Sequence, residues 1–112
     1  MVQYSHMLDL GFAALSDPTR RGILQRLGRG AASISDLAAK FELTLTGLKK
    51  HVQVLEGAGL VTTEKVGRVR TCRLGPRRLE EEVAWISKYQ QMVEERFDRL
   101  EELLERTEGE DT

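Results

Sequence analysis

The sequence predicts a mainly α-helical chain with one small β-hairpin, on three observations. Apolar residues recur at helical spacing on both sides of residues 60–74, and only in that window does the period fall to two. Breakers divide the chain at Asp17-Pro18, Gly28-Arg29-Gly30, Gly57-Ala58-Gly59 and Gly75-Pro76. With 112 residues, 40% of them hydrophobic, there is material for one modest core. A single domain is therefore expected over 1–106, with a disordered acidic tail at 107–112.

Met7, Leu8, Gly11, Phe12 and Leu15 follow helical spacing in a first helix that stops at Ser16-Asp17-Pro18. Asp17 is placed to cap a second helix that has Pro18 in its first position and spans about 18–29. Ile23, Leu24 and Leu27 form its core face. In AASISDLAAKFEL (31–43), Ser33 or Ser35 can cap a short third helix in which Leu37, Ala38 and Phe41 share a side. Thr44 is the capping candidate for a fourth helix that ends at Gly57-Ala58-Gly59. Two short helices separated by a few residues, over about 34–58, make a helix-turn-helix. Residues 60–74 then alternate around Gly67 as a hairpin, and alternation groups Cys72 with Arg70 and Leu74 on the face toward the helices.

The last helix is long, about 76–106. Leu79, Val83, Ile86, Gln90, Val93, Phe97, Leu100 and Leu104 step by four and three, the heptad rhythm of a helix–helix seam, and only Gln90 breaks it. Trp85, Tyr89 and Met92 form a second stripe. A lone helix of that length has no other partner for both stripes, so dimerisation is expected through the last helix and the apolar first helix. Leu8, Phe12, Leu79, Val83, Ile86, Val93, Phe97, Leu100 and Leu104 are the interface candidates.

The net charge of −1 hides an asymmetry. Residues 18–78 hold 13 Lys/Arg against 4 Asp/Glu, whereas residues 79–112 hold 4 against 12. A basic block beside an acidic one suggests a polyanion-binding head. The fourth helix says how such a head would work. At 100° per residue, Leu45, Leu48, Val52 and Leu55 fall in one sector of about 80°, the expected core face. Thr46, Gly47, Lys50, Gln53 and Val54 lie opposite, with Lys49 and His51 on the shoulders. A helix in the DNA major groove contacts base edges with its first turns, and Lys or Gln there can read guanine or adenine. Gly47 costs about 1 kcal/mol of helix stability relative to Ala. Close approach of backbone to DNA is a reason to keep it. Lys65, Arg68, Arg70 and Arg73 surround the hairpin tip, which suits a wing that reaches the DNA backbone or minor groove.

FAALSDPTRRGILQRL (12–27), ISDLAAKFELT (34–44), LKKHVQVLEGAGLV (48–61) and GRVRTCRL (67–74) together resemble the ArsR-type winged-helix repressors of bacteria, over roughly residues 8–104. The resemblance implies a winged helix-turn-helix that pairs as a homodimer through its first and last helices. It further implies double-stranded operator DNA as partner, an inverted repeat read in successive major grooves, and repression by blocking polymerase. Thr44, Thr46, Gly47, Lys49, Lys50, His51, Gln53, Lys65, Arg68 and Arg70 are the expected DNA-binding residues. Lys49 stands where relatives commonly have Ser, and Cys72 where they often have Tyr.

Many such proteins sense metals through Cys pairs in the third helix or Asp/His clusters in the last. Here SISDLAAKF has no Cys, and residues 76–112 have neither His nor Cys. Carboxylates alone make a poor transition-metal site, so no metal and no cofactor is expected. The lone Cys72 is read as packing, with a thiol-based redox sensor as an alternative. Trp85, Tyr89 and Met92 are read as core or dimer seam, with a small-molecule effector site as the other option. No nucleophile elbow, phosphate loop or HExxH is present, which argues against an enzyme. No apolar run approaches the roughly 20 residues of a membrane span, and MVQYSHMLDLG lacks the regions of a signal peptide, so the cytoplasm is expected. A winged-helix protein-interaction module working through the acidic last helix is the rival function. DNA binding that falls steeply with salt separates the two.

Overall fold

The computed structural model describes residues 6–110. The chain divides into two compact units, Met1–Glu80 and Glu81–Thr112. The first holds α1 (His6–Leu15), α2 (Pro18–Leu27), β1 (Ala32–Ser33), α3 (Ile34–Lys40), α4 (Leu45–Gly57), β2 (Val61–Val66) and β3 (Val69–Leu74). The second is essentially one helix, α5 (Glu80–Glu110). No helix among the described residues is long and apolar enough to cross a membrane.

Caps set the helix starts. The Asp17 carboxylate accepts from the Thr19 and Arg20 N–H groups at 2.8 and 3.1 Å, which begins α2 with Pro18 at its head. Of the two serines considered for α3, Ser33 is the cap, its hydroxyl accepting from Asp36 N–H at 3.0 Å. Glycine and its substitutes set the ends. At the end of α4, Gly59 N–H donates to the Glu56 carbonyl and Leu60 N–H to that of Leu55, a Schellman motif with Gly59 at φ +75°. α3 closes the same way, yet Glu42 occupies the left-handed position at φ +54°.

Ile23, Leu37, Leu48, Leu55, Val61 and Cys72 are the large side chains fully buried in the first unit. Burial of each leucine here stabilises the fold by about 1.5–3 kcal/mol. The sheet has three antiparallel strands in the order β1-β3-β2. Thr63 pairs with Cys72, Lys65 with Arg70 and Val66 with Val69, across a two-residue turn that places Gly67 at φ +63°. The architecture is a winged helix-turn-helix.

Several expectations are corrected. β1 was not foreseen, because two residues paired with Thr71 and Cys72 leave no periodicity to detect. Leu45 is 49% exposed rather than core; it is the first residue of α4, and its turn projects beyond the core that Leu48 reaches. α2 ends at Leu27 because Gly28 caps it. Leu74 is 48% exposed and Arg70 is exposed as well, so of the Arg70, Cys72 and Leu74 set only Cys72 is buried.

The expected start of the last helix near 76 is also corrected. Residues 76–79 are irregular, and Leu79, at φ +61°, precedes α5 and packs on the core of the first unit. It therefore leaves the expected helical seam. At the other end α5 includes residues 107–110, which replaces the disordered tail expected there. Thr107 hydroxyl donates to the Leu103 carbonyl at 2.9 Å, and only Gly109 interrupts the helix formers around it. Residues 111–112 lie outside the described residues.

Candidate nucleic-acid interface

α4 is anchored by Leu48, Val52 and Leu55 and turns its other side to solvent. Thr46, Lys50 and Gln53 are all exposed and fall within a sector of about 60° at helical pitch. Lys49 is exposed on one shoulder, and His51 is half-buried on the other. Thr44 caps the helix, its hydroxyl accepting from Gly47 N–H at 3.0 Å. A Cβ on residue 47 would lie 3.2 Å from that hydroxyl. Gly47 thus has a local reason to be glycine besides close approach to a partner.

The Lys49 shoulder borders a groove lined by Ile34, Lys49, Val52, Gln53, Glu56 and Arg70, which runs between α4 and the hairpin. Two hydrogen bonds tie its sides. Arg70 Nη1 donates to the Thr63 hydroxyl at 3.0 Å, and that hydroxyl donates to Glu56 Oε1 at 3.2 Å. Glu56 and Thr63 were missed in the sequence, where an acid at the end of α4 and a threonine in a strand look ordinary. They hold the wing to the helix.

Lys65, Arg68 and Arg70 are exposed. Lys65 lies directly across the ladder from Arg70. Like charges at that separation repel, so the pair is costly until an anion lies over it. The ion pair of Arg73 with Glu64, at 3.9 Å and exposed on both sides, contributes little.

The His51 shoulder is held differently. Arg20 Nη1 lies 3.1 Å from His51 Nδ1. Arg20 also donates to the Ala13 and Ala14 carbonyls at 2.9 Å each. Arg21 donates to the Leu15 carbonyl at 2.6 Å.

Cys72 is fully buried. Burial pushes its thiol up to about 11; Glu56 adds to this and Arg70 opposes it. The thiolate that a redox sensor needs is therefore absent at neutral pH. On α5, Val83, Ile86, Phe97, Leu100 and Leu104 are exposed and Val93 is half-buried, within a sector of about 100°. Trp85 and Tyr89 stack with centroids 5.7 Å apart and planes 6° from parallel.

A recognition helix presenting polar and basic groups beside a basic, anchored wing defines the class: a winged helix-turn-helix transcriptional regulator that binds DNA. The helix-turn-helix domain family matches residues 15–64. The crystal structure of the ArsR family transcriptional regulator RHA00566 superposes with a TM-score of 0.73 at 43% identity, covering 84% of this chain and 97% of that one. The chain belongs to the ArsR family of transcriptional regulators. It is also 34% identical over 68 residues to the HTH-type transcriptional regulator Rv2034 of Mycobacterium tuberculosis, covering 61% of this chain and 64% of that relative, just under two thirds of its length. Transcriptional repressor SdpR of Bacillus subtilis is 29% identical over 75 residues, covering 67% of this chain and 83% of its own.

Proposed function

We propose that this chain is a repressor that binds an inverted-repeat operator as a homodimer and does not depend on metal. The observation that carries it is the sorting of α4: Leu48, Val52 and Leu55 are buried while Thr46, Lys50 and Gln53 stand together in solvent. In this reading Thr46, Gly47, Lys50 and Gln53 meet the bases. Thr44, Lys49, His51, Lys65, Arg68 and Arg70 meet phosphates, and an anion over Lys65 and Arg70 relieves their repulsion. SdpR is named a repressor, and the same action suits a protein that occupies two major grooves.

The apolar sector of α5 supports a homodimer. Val83, Ile86, Val93, Phe97, Leu100 and Leu104 would pair with the same residues of a second copy, and Leu8 and Phe12 of α1 would contribute a second patch. Leu79 drops out because it packs on its own core. Metal independence rests on the ligand chemistry of the sequence, which has a single Cys, two His on separate helices, and neither type in residues 73–112.

The test is fluorescence anisotropy with a duplex from the chain's own promoter, together with light scattering. Saturable binding of two chains per site, weakened by a change in either half-site, is expected. No binding at low salt, or a monomeric mass at micromolar concentration, overturns the reading. Stoichiometric zinc or copper binding that releases DNA overturns metal independence alone.

A further inference from the structure

Arg20 directs its guanidinium at three acceptors on two elements. Nε donates to the Ala14 carbonyl and Nη2 to that of Ala13, both at 2.9 Å, and Nη1 lies 3.1 Å from His51 Nδ1. A guanidinium has five N–H donors, no acceptor, and does not lose its proton in a protein. At the His51 contact Arg20 can only donate. Nδ1 must then be the unprotonated nitrogen, and a neutral imidazole carries its proton on Nε2. The two carbonyls near the end of α1 fix the guanidinium plane, so this donor cannot readily swing away.

Among the described residues Nε2 has no hydrogen-bond partner, and no buried side-chain nitrogen there lacks one. Nε2 is therefore open to solvent. It stands on the shoulder of the α4 face that carries Lys50 and Thr46. We propose that Arg20 is a positioning residue for DNA binding: it holds His51 in the Nε2–H tautomer and so presents that N–H as a donor to a DNA phosphate. A histidine free of Arg20 would share its proton between both nitrogens and sample other ring orientations. The proposal rests on the DNA-binding reading above, whereas the tautomer does not.

Long-range nitrogen NMR of the full chain at neutral pH reads the tautomer directly. A single Nε2–H form is expected in the wild type and a mixture in Arg20→Gln; an Nδ1–H form in the wild type overturns the proposal. Anisotropy on the promoter duplex reads the function. Arg20→Gln and His51→Ala should each weaken binding by about tenfold, the loss of one hydrogen bond to a charged group. The double variant should be no weaker than either single one, because Arg20 acts through His51. Losses that multiply overturn the proposal and make Arg20 a strut or a phosphate contact of its own. Should Arg20→Gln fail to fold, Arg20→Lys, which keeps the charge without the three-way fork, takes its place with the same expectations. A wild-type chain that binds no duplex sinks the DNA-binding reading itself, whereas a wild type that binds but gives multiplying losses sinks only the role of Arg20.

Discussion

The N–H of Gly47 donates to the Thr44 hydroxyl at 3.0 Å, and a Cβ on residue 47 would lie 3.2 Å from that same oxygen. One glycine thereby serves two purposes that can be separated. Thr44→Ala removes the cap and should lower the unfolding free energy by about 1 kcal/mol. Gly47→Ala crowds the cap but regains about 1 kcal/mol of helix propensity, so its stability should stay close to wild type while DNA affinity falls. Urea denaturation and anisotropy check both. A Gly47→Ala chain as unstable as Thr44→Ala, yet with unchanged affinity, would assign the glycine to the cap alone.

The contrast shows how far the sequence reaches. Helical and strand periods located α4 and the hairpin, and capping chemistry identified Thr44 and Asp17, since those signals lie within a few residues of one another. Contacts distant in sequence left no such trace. Arg20 meets His51 across 31 positions, and the Glu56, Thr63 and Arg70 chain joins a helix to two strands. Only the fold brings those groups together. Leu45 misled because angular position on a helix says nothing of how far along its axis the core extends.

Glu42 occupies the left-handed position closing α3, at φ +54°. A residue with a Cβ is disfavoured there by roughly 1–2 kcal/mol, and the larger chain entropy of unfolded glycine takes back part of the gain. Glu42→Gly should therefore stabilise the chain by about 0.5–1 kcal/mol and raise the melting temperature by a few degrees. Glu42→Ala should gain nothing. Equal melting of all three chains would show that this turn carries no strain.

Asp17 links folding to acid. Its carboxyl is held below the usual value of 3.8, most by the Arg20 N–H, with burial opposing and the Thr19 N–H adding to the lowering. A group whose folded value is depressed contributes stability in full above its unfolded value and loses it as pH falls through the folded one. The stability difference between wild type and Asp17→Asn should thus be constant near neutrality and shrink below 3.8. Urea midpoints across that range measure it. A difference that persists unchanged to the acid limit would remove the carboxylate from the account.

Cys72 offers neither access nor thiolate, being fully buried with its thiol pushed up to about 11. A disulfide reagent at neutral pH should react only as fast as the chain opens, and quickly in denaturing urea. Peroxide should leave DNA affinity unchanged. Cys72→Ser should cost about 1–3 kcal/mol by placing a hydroxyl in the core. Rapid labelling of the native chain would reopen thiol sensing.

Salt dependence divides the cations of the interface by what they do. Neutralising a phosphate releases counterions, so Lys49→Ala and Arg68→Ala should each lower the log–log salt slope by about one unit. Lys50, at the centre of the α4 face, should instead change the preference among operator variants. Thr63→Ala removes no charge, but it cuts the chain from Arg70 to Glu56 that holds the wing against α4. Its affinity should fall with the slope nearly unchanged, whereas Arg70→Ala should lose both. If Thr63→Ala bound as tightly as wild type, the wing would need no tether; if its slope fell by a full unit, Thr63 would be setting the phosphate contact of Arg70 itself.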